Sequence, residues 1–167
     1  SLAGVGVDGL QILKLQNDAI LRTTPGMTPE RVDQFMSLFN TLFDKVHAVP
    51  LDEPLDVPLR QAFDQWVAQQ DKATLKAVNF NDGRDEMFFS RYLRQAQGRW
   101  YREMISYDPE DYIPRIHQPV LALNGDKDIM VPAKENLASI KQLLDKGGNT
   151  RYKIVELPGL NHMFQRC

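Results

Sequence analysis

The stretch from Pro119 to Cys167 constrains the fold more than any other part of the chain. Pro119-Val120-Leu121-Ala122-Leu123-Asn124 is a short apolar run ending at Asn124-Gly125, the pattern of a buried parallel strand followed by a turn. Pro132 to about Lys146 carries Leu137, Ile140, Leu143 and Leu144 at helical spacing and closes at Gly147-Gly148-Asn149. Arg151 to Leu157 reads as a second strand, ending at Pro158-Gly159. Strand, helix and strand with short connections form a βαβ unit, so the strands should be parallel with a right-handed crossover. Parallel strands need both faces covered and several neighbours, so this unit reads as the edge of a larger sheet. The strand edge near Val120 to Leu123 is an aggregation hazard if bare, and an absent amino-terminal half or another copy of the chain is expected to cover it.

The rest of the chain differs in texture. Residues 1–9 are small and glycine-rich and read as a loop following a core strand. Residues 10–116 read as a mainly helical insert with a return to the core, and residues 117–167 as the βαβ unit. In the middle region, Thr28-Pro29-Glu30 supplies an N-cap, a proline at the first helical position and an acid in the first turn. Val32, Phe35, Met36, Phe39, Leu42, Phe43 and Val46 then form one apolar face that ends at Pro50. Further helices are expected from Leu10 to about Leu21, from Val57 to Gln69, and from about Asp82 to Met104 with a possible break at Gly98. The connector Val49 to Pro54 is too rich in proline to be helical.

Charge narrows the functional classes. The 167 residues hold 20 Lys and Arg against 22 Asp and Glu, a net charge of −2, so no basic field exists to hold nucleic acid. No apolar run approaches the ~20 residues of a membrane-spanning helix. The single cysteine, Cys167, excludes an intrachain disulfide and a multi-thiolate metal site. Neither His-x-His nor His-Glu-x-x-His occurs, and no metal is expected. Gly4-Val5-Gly6-Val7-Asp8-Gly9 matches the letters of a dinucleotide fingerprint, but it lacks the full preceding strand that the mechanism needs and reads as a flexible loop.

The strongest chemical signal is a pair. Gly125-Asp126-Lys127-Asp128 places two acids after the first strand, and Leu157-Pro158-Gly159-Leu160-Asn161-His162 places a histidine after the second. In a parallel sheet both loops emerge at the same edge, where open α/β sheets bind ligands. An imidazole acting as a general base wants its other ring nitrogen held by a carboxylate, which fixes the tautomer and stabilises the imidazolium. Asp128 is the candidate acid and His162 the candidate base; Asp126 is the rival acid but reads better as a turn residue. His47, His117 and Cys167 are assigned no role.

The run from Pro119 to Pro132 followed by Leu157 to His162 resembles the last third of an α/β-hydrolase, nearest the serine aminopeptidase-like and dienelactone hydrolase-like branch. Trp100 to Pro109 and Ser1 to Gly4 also match what such enzymes place before these motifs. The resemblance implies that Gly-x-x-Asp-x-x-Val-Pro carries the triad acid at Asp128 and that His162 is the triad base. It further implies an α/β fold comprising the last parallel strands of a hydrolase sheet, flanking helices and a helical cap insertion. More than a hundred residues between Gly9 and Pro119 far exceed an ordinary crossover and suit such a cap.

The activity implied is a serine hydrolase that cleaves carboxylic esters or small amides through an acyl-enzyme, with no cofactor. The family's Gly-x-Ser-x-Gly elbow is missing: none of Ser1, Ser37, Ser90, Ser106 and Ser139 is flanked by glycines. The nucleophile is therefore expected upstream of Ser1, and this chain by itself is expected to be inactive. Two alternatives stand beside this reading. One is a non-catalytic helical binding module on a hydrolase-like scaffold; the other is epoxide or halide hydrolysis with an upstream aspartate nucleophile. Neither substrate nor compartment follows from the sequence.

Overall fold

A computed structural model describing residues 1–167 combines α-helices with a small parallel sheet, an α/β arrangement. In chain order the elements are α1 (Gly9–Thr23), α2 (Pro29–Ala48), α3 (Asp56–Ala68), α4 (Lys72–Ala77), α5 (Arg84–Ala96), α6 (Arg99–Ile105), β1 (Val120–Gly125), α7 (Ala133–Lys146) and β2 (Tyr152–Leu157). Two short 3-10 turns, Pro109–Asp111 and Ile113–Arg115, precede β1. The chain divides into two compact units, residues 1–20 with 107–167, and residues 21–106.

In the first unit, β1 and β2 are parallel neighbours, with Val120 opposite Tyr152 and Gly125 opposite Leu157. Helix α7 covers one face: Ala133, Leu137, Ile140 and Leu144 pack with Ala122, and Val120, Tyr152 and Ile154 border them. Asn149 stitches the turn between α7 and β2, donating to the Ile116 and Gln118 carbonyls at 2.8 and 2.9 Å and accepting from Arg151 N–H at 2.9 Å.

The far edge of β1 is partly occupied by the chain itself. Ser1 and Ala3 donate their N–H groups to the carbonyls of Leu121 and Leu123 at 2.6 and 2.9 Å, and Leu123 N–H donates back to Ser1 at 2.9 Å. Leu2 thus forms a parallel bridge with Leu123. Residues 1–3 act as a strand segment, where the sequence reads only as loop; three residues are too few for a period-two pattern to register.

The glycine-rich segment that follows is pinned rather than loose. The N–H groups of Gly4, Gly6 and Gly9 are engaged by Ser1 Oγ, Asn136 Oδ1 and the Tyr107 carbonyl, so they do not form a cradle open to a pyrophosphate. Asp8 caps α1 by accepting from Gln11 N–H at 2.8 Å. Val7 and Ile12 bury against Val131 of the loop between β1 and α7.

The second unit is helical. Thr28 caps α2 as its sequence dictates, accepting from Arg31 N–H at 3.3 Å. Val32, Met36, Leu42, Phe43 and Val46 are buried as expected, and so is Leu38; Phe35 and Phe39 are only half-buried. Phe63 of α3 centres the aromatic packing, 5.1 Å from Phe89 and 5.6 Å from Phe80 between ring centroids. The helical segment expected from about Asp82 to Met104 is divided at Gly98, the break its sequence offers, into α5 and α6. It also starts later, because Asp82 and Gly83 hold left-handed φ values of +56° and +76°. Short α4 escaped the sequence reading; Asp71 caps it, accepting from Thr74 N–H at 2.7 Å. The proline-rich connector is held by buried Arg102, whose guanidinium donates to the carbonyls of Val49, Pro50 and Glu53.

Candidate active site

The site lies at the carboxyl ends of β1 and β2. β1 ends in Asn124-Gly125, and the tight turn after it carries Asp128. The Asp128 carboxylate is completely buried and meets donors on both oxygens. Oδ1 accepts the N–H groups of Met130 and Val131 at 2.9 and 2.8 Å, while Oδ2 accepts Asn124 Nδ2 at 3.1 Å. The loop and the end of β1 thereby hold the carboxylate through contacts other than that with the histidine. Buried carboxylates persist only with such a set of partners.

The histidine comes from the loop after β2. Gly125 permits the approach: a Cβ there would be driven into the Leu160 carbonyl. Lys127 N–H donates to that carbonyl at 3.0 Å, and Asp126 Oδ1 accepts Gly159 N–H at 2.6 Å. Asp126 thus straps the two loops together and makes no contact with His162. Residues 159–167 fold back on themselves, with Leu160 and Arg166 in an antiparallel bridge and Cys167 N–H donating to Gly159 at 3.1 Å. Asn161 Oδ1 accepts the N–H groups of both Met163 and Gln165 at 3.0 Å, and Phe164 turns the chain with a left-handed φ of +57°. His162 sits at the head of this turn.

His162 Nδ1 lies 3.0 Å from Asp128 Oδ2, across 34 residues of sequence. A carboxylate oxygen accepts, so Nδ1 meets Asp128 as an N–H. The imidazole is 41% exposed, and Nε2 has no partner within its unit. A ring held on one nitrogen and open on the other can take a proton from a hydroxyl and return it to a leaving group. The two serines of this unit are engaged elsewhere: Ser1 Oγ accepts Gly4 N–H and Ser139 Oγ donates to the Gly6 carbonyl at 2.5 Å.

The remaining residues considered from sequence lie outside this pair. His47 places Nδ1 3.1 Å from the Ile105 carbonyl, His117 offers its carbonyl to Arg151 at 2.5 Å, and Cys167 is exposed. No three His, Cys, Asp or Glu side chains group as metal ligands, and no helix is long and apolar enough to cross a membrane. Sequence reading missed Asn124 and Asn136. The signal was there: each is a polar residue inside an apolar pattern, one closing a buried strand and one on the inward stripe of α7 with Leu137 and Ile140. Compared with protein-family models, curated proteins and solved structures, the chain matches none.

Proposed function

We propose that this chain is the carboxyl-terminal part of a serine hydrolase of the α/β-hydrolase fold, in the serine aminopeptidase-like or dienelactone hydrolase-like branch. The observation that carries the reading is the 3.0 Å contact between His162 Nδ1 and the buried Asp128 carboxylate, on an imidazole that is 41% exposed. The parallel run of residues 1–3, β1 and β2 adds support, since the acid and the base leave consecutive strands at one edge.

In this reaction a serine upstream of Ser1 attacks the carbonyl of an ester or small amide as His162 Nε2 takes its proton. The imidazolium is stabilised by Asp128 and gives that proton to the leaving alcohol or amine as the acyl-enzyme forms. Water then attacks the acyl carbonyl, His162 again accepting the proton and returning it to the serine oxygen as the acid departs. Asp128 orients the ring throughout, and no cofactor takes part. The mainly helical region of residues 10–116 is the insertion such an enzyme carries as its cap.

A fluorophosphonate probe applied to the full-length protein tests this reading. The expected adduct is on one serine upstream of Ser1, lost in the His162→Ala variant. A protein that takes no label is a binding module or uses a different nucleophile, and the proposal fails.

A further inference from the structure

The carboxylate that orients His162 is itself oriented through a chain of buried amides. Gly6 N–H donates to Asn136 Oδ1 at 2.6 Å, and Asn136 Nδ2 donates to the Gly4 carbonyl at 3.0 Å. A backbone N–H can only donate and a backbone carbonyl can only accept, so these two contacts leave Asn136 one way round. Its Nδ2 also donates to Asn124 Oδ1 at 2.8 Å, which forces the Asn124 amide nitrogen to the other side. There Nδ2 meets the Val131 carbonyl at 3.0 Å and Asp128 Oδ2 at 3.1 Å, on the same oxygen that takes His162. Asn124 and Asn136 are 0% and 1% exposed, so water cannot substitute for any link.

The structure assigns Asn124 and Asn136 as positioning residues: the backbone of Gly4 and Gly6 sets, through two amides, the side of Asp128 that His162 meets. The assignment rests on the hydrolase reading for its catalytic meaning, while its geometry stands apart from it. A buried pair of asparagines is a costly choice where Leu or Val would pack, and every one of their side-chain polar atoms is matched here. Gly6 belongs to the same device. A Cβ on it would strike Ile140 of α7, so only glycine brings its N–H within reach of Asn136.

The decisive variant is Asn136→Asp, nearly isosteric but without the amide protons. The new carboxylate still accepts from Gly6, and Asn124 must turn over to donate to it. Asn124 then faces Asp128 with an oxygen instead of an N–H, and the two repel. In nitrogen-15 NMR of the full-length protein, the His162 Nδ1–H resonance is expected to move or vanish, with hydrolysis falling roughly tenfold to a hundredfold from misalignment. Asn136→Asp protein that folds and keeps both the resonance and the activity overturns the assignment. Should the variant not fold, the unaltered protein answers: the side-chain amide protons of Asn124 and Asn136 must exchange with solvent far more slowly than those of exposed Asn81, and equally fast exchange overturns the relay. A changed His162 resonance in a protein with no hydrolytic activity upholds the relay and sinks the hydrolase reading instead.

Discussion

Gly125 and the carbonyl of Leu160 pass too closely for a single extra carbon between them, and this approach carries the His162 loop to the acid. The obstacle to a side chain is backbone, which cannot swing aside. Gly125→Ala is expected to cost about 2 kcal/mol of stability, within the usual range for overpacking, and to lengthen the contact between Asp128 and His162. Urea unfolding reads the first effect and the His162 Nδ1–H resonance the second. An unchanged midpoint contradicts the close approach.

Asp128 and His162 differ in what they hold up. Removing the Asp128 carboxylate strands the buried Val131 N–H, frees the part-buried Met130 N–H and leaves one Asn124 amide proton without its acceptor, so Asp128→Ala should cost on the order of 3 kcal/mol. His162 is partly exposed and its ring makes a single hydrogen bond, so His162→Gln should stay within about 1 kcal/mol of the parent. Thermal melts of the two variants compare them directly, and equal losses would contradict the asymmetry.

Arg102 organises the connector between α2 and α3. Its buried guanidinium donates to three carbonyls, a task that needs the planar fork of arginine. Arg102→Met should cost about 3 kcal/mol, and Arg102→Lys should recover only part of that. Denaturant titration measures both. Full recovery by lysine would show that charge alone matters there.

Acid should weaken the fold through its carboxylates. Asp71 is held below its usual pKa by the Thr74 N–H it caps, Glu86 by Arg60, and Asp145 by Lys141 and then Tyr152. A pKa lowered on folding means that the unfolded chain binds protons more readily. The contribution is therefore present above the unfolded value, near pH 4, and is lost as pH falls through the folded values. The melting temperature should decline below about pH 4, and Asp71→Ser, which keeps a cap without a titrating group, should flatten part of the decline. An identical acid profile for that variant contradicts the assignment to Asp71.

Strand–helix–strand order, the parallel pairing and the candidate pair at 128 and 162 were legible because each rests on local pattern plus one topological rule. Gly98 and the proline-rich connector were legible as punctuation. The rest depended on partners distant in sequence. Residues 1–3 become a strand segment only through β1. Asn124 and Asn136 look like polar lapses in apolar patterns until the fold puts them 2.8 Å apart. The left-handed residues Asp82 and Phe164 end or turn segments by backbone conformation, which side-chain periodicity does not report.

We propose His162 as the proton carrier of an acyl-transfer site. Steady-state hydrolysis of a p-nitrophenyl ester by the full-length protein, compared between the parent and His162→Ala at matched folding, measures it most directly. Turnover should fall by about a thousandfold or more with the melting temperature nearly unchanged. A folded His162→Ala protein that hydrolyses the ester as fast as its parent, or a parent with no esterase activity at all, contradicts it.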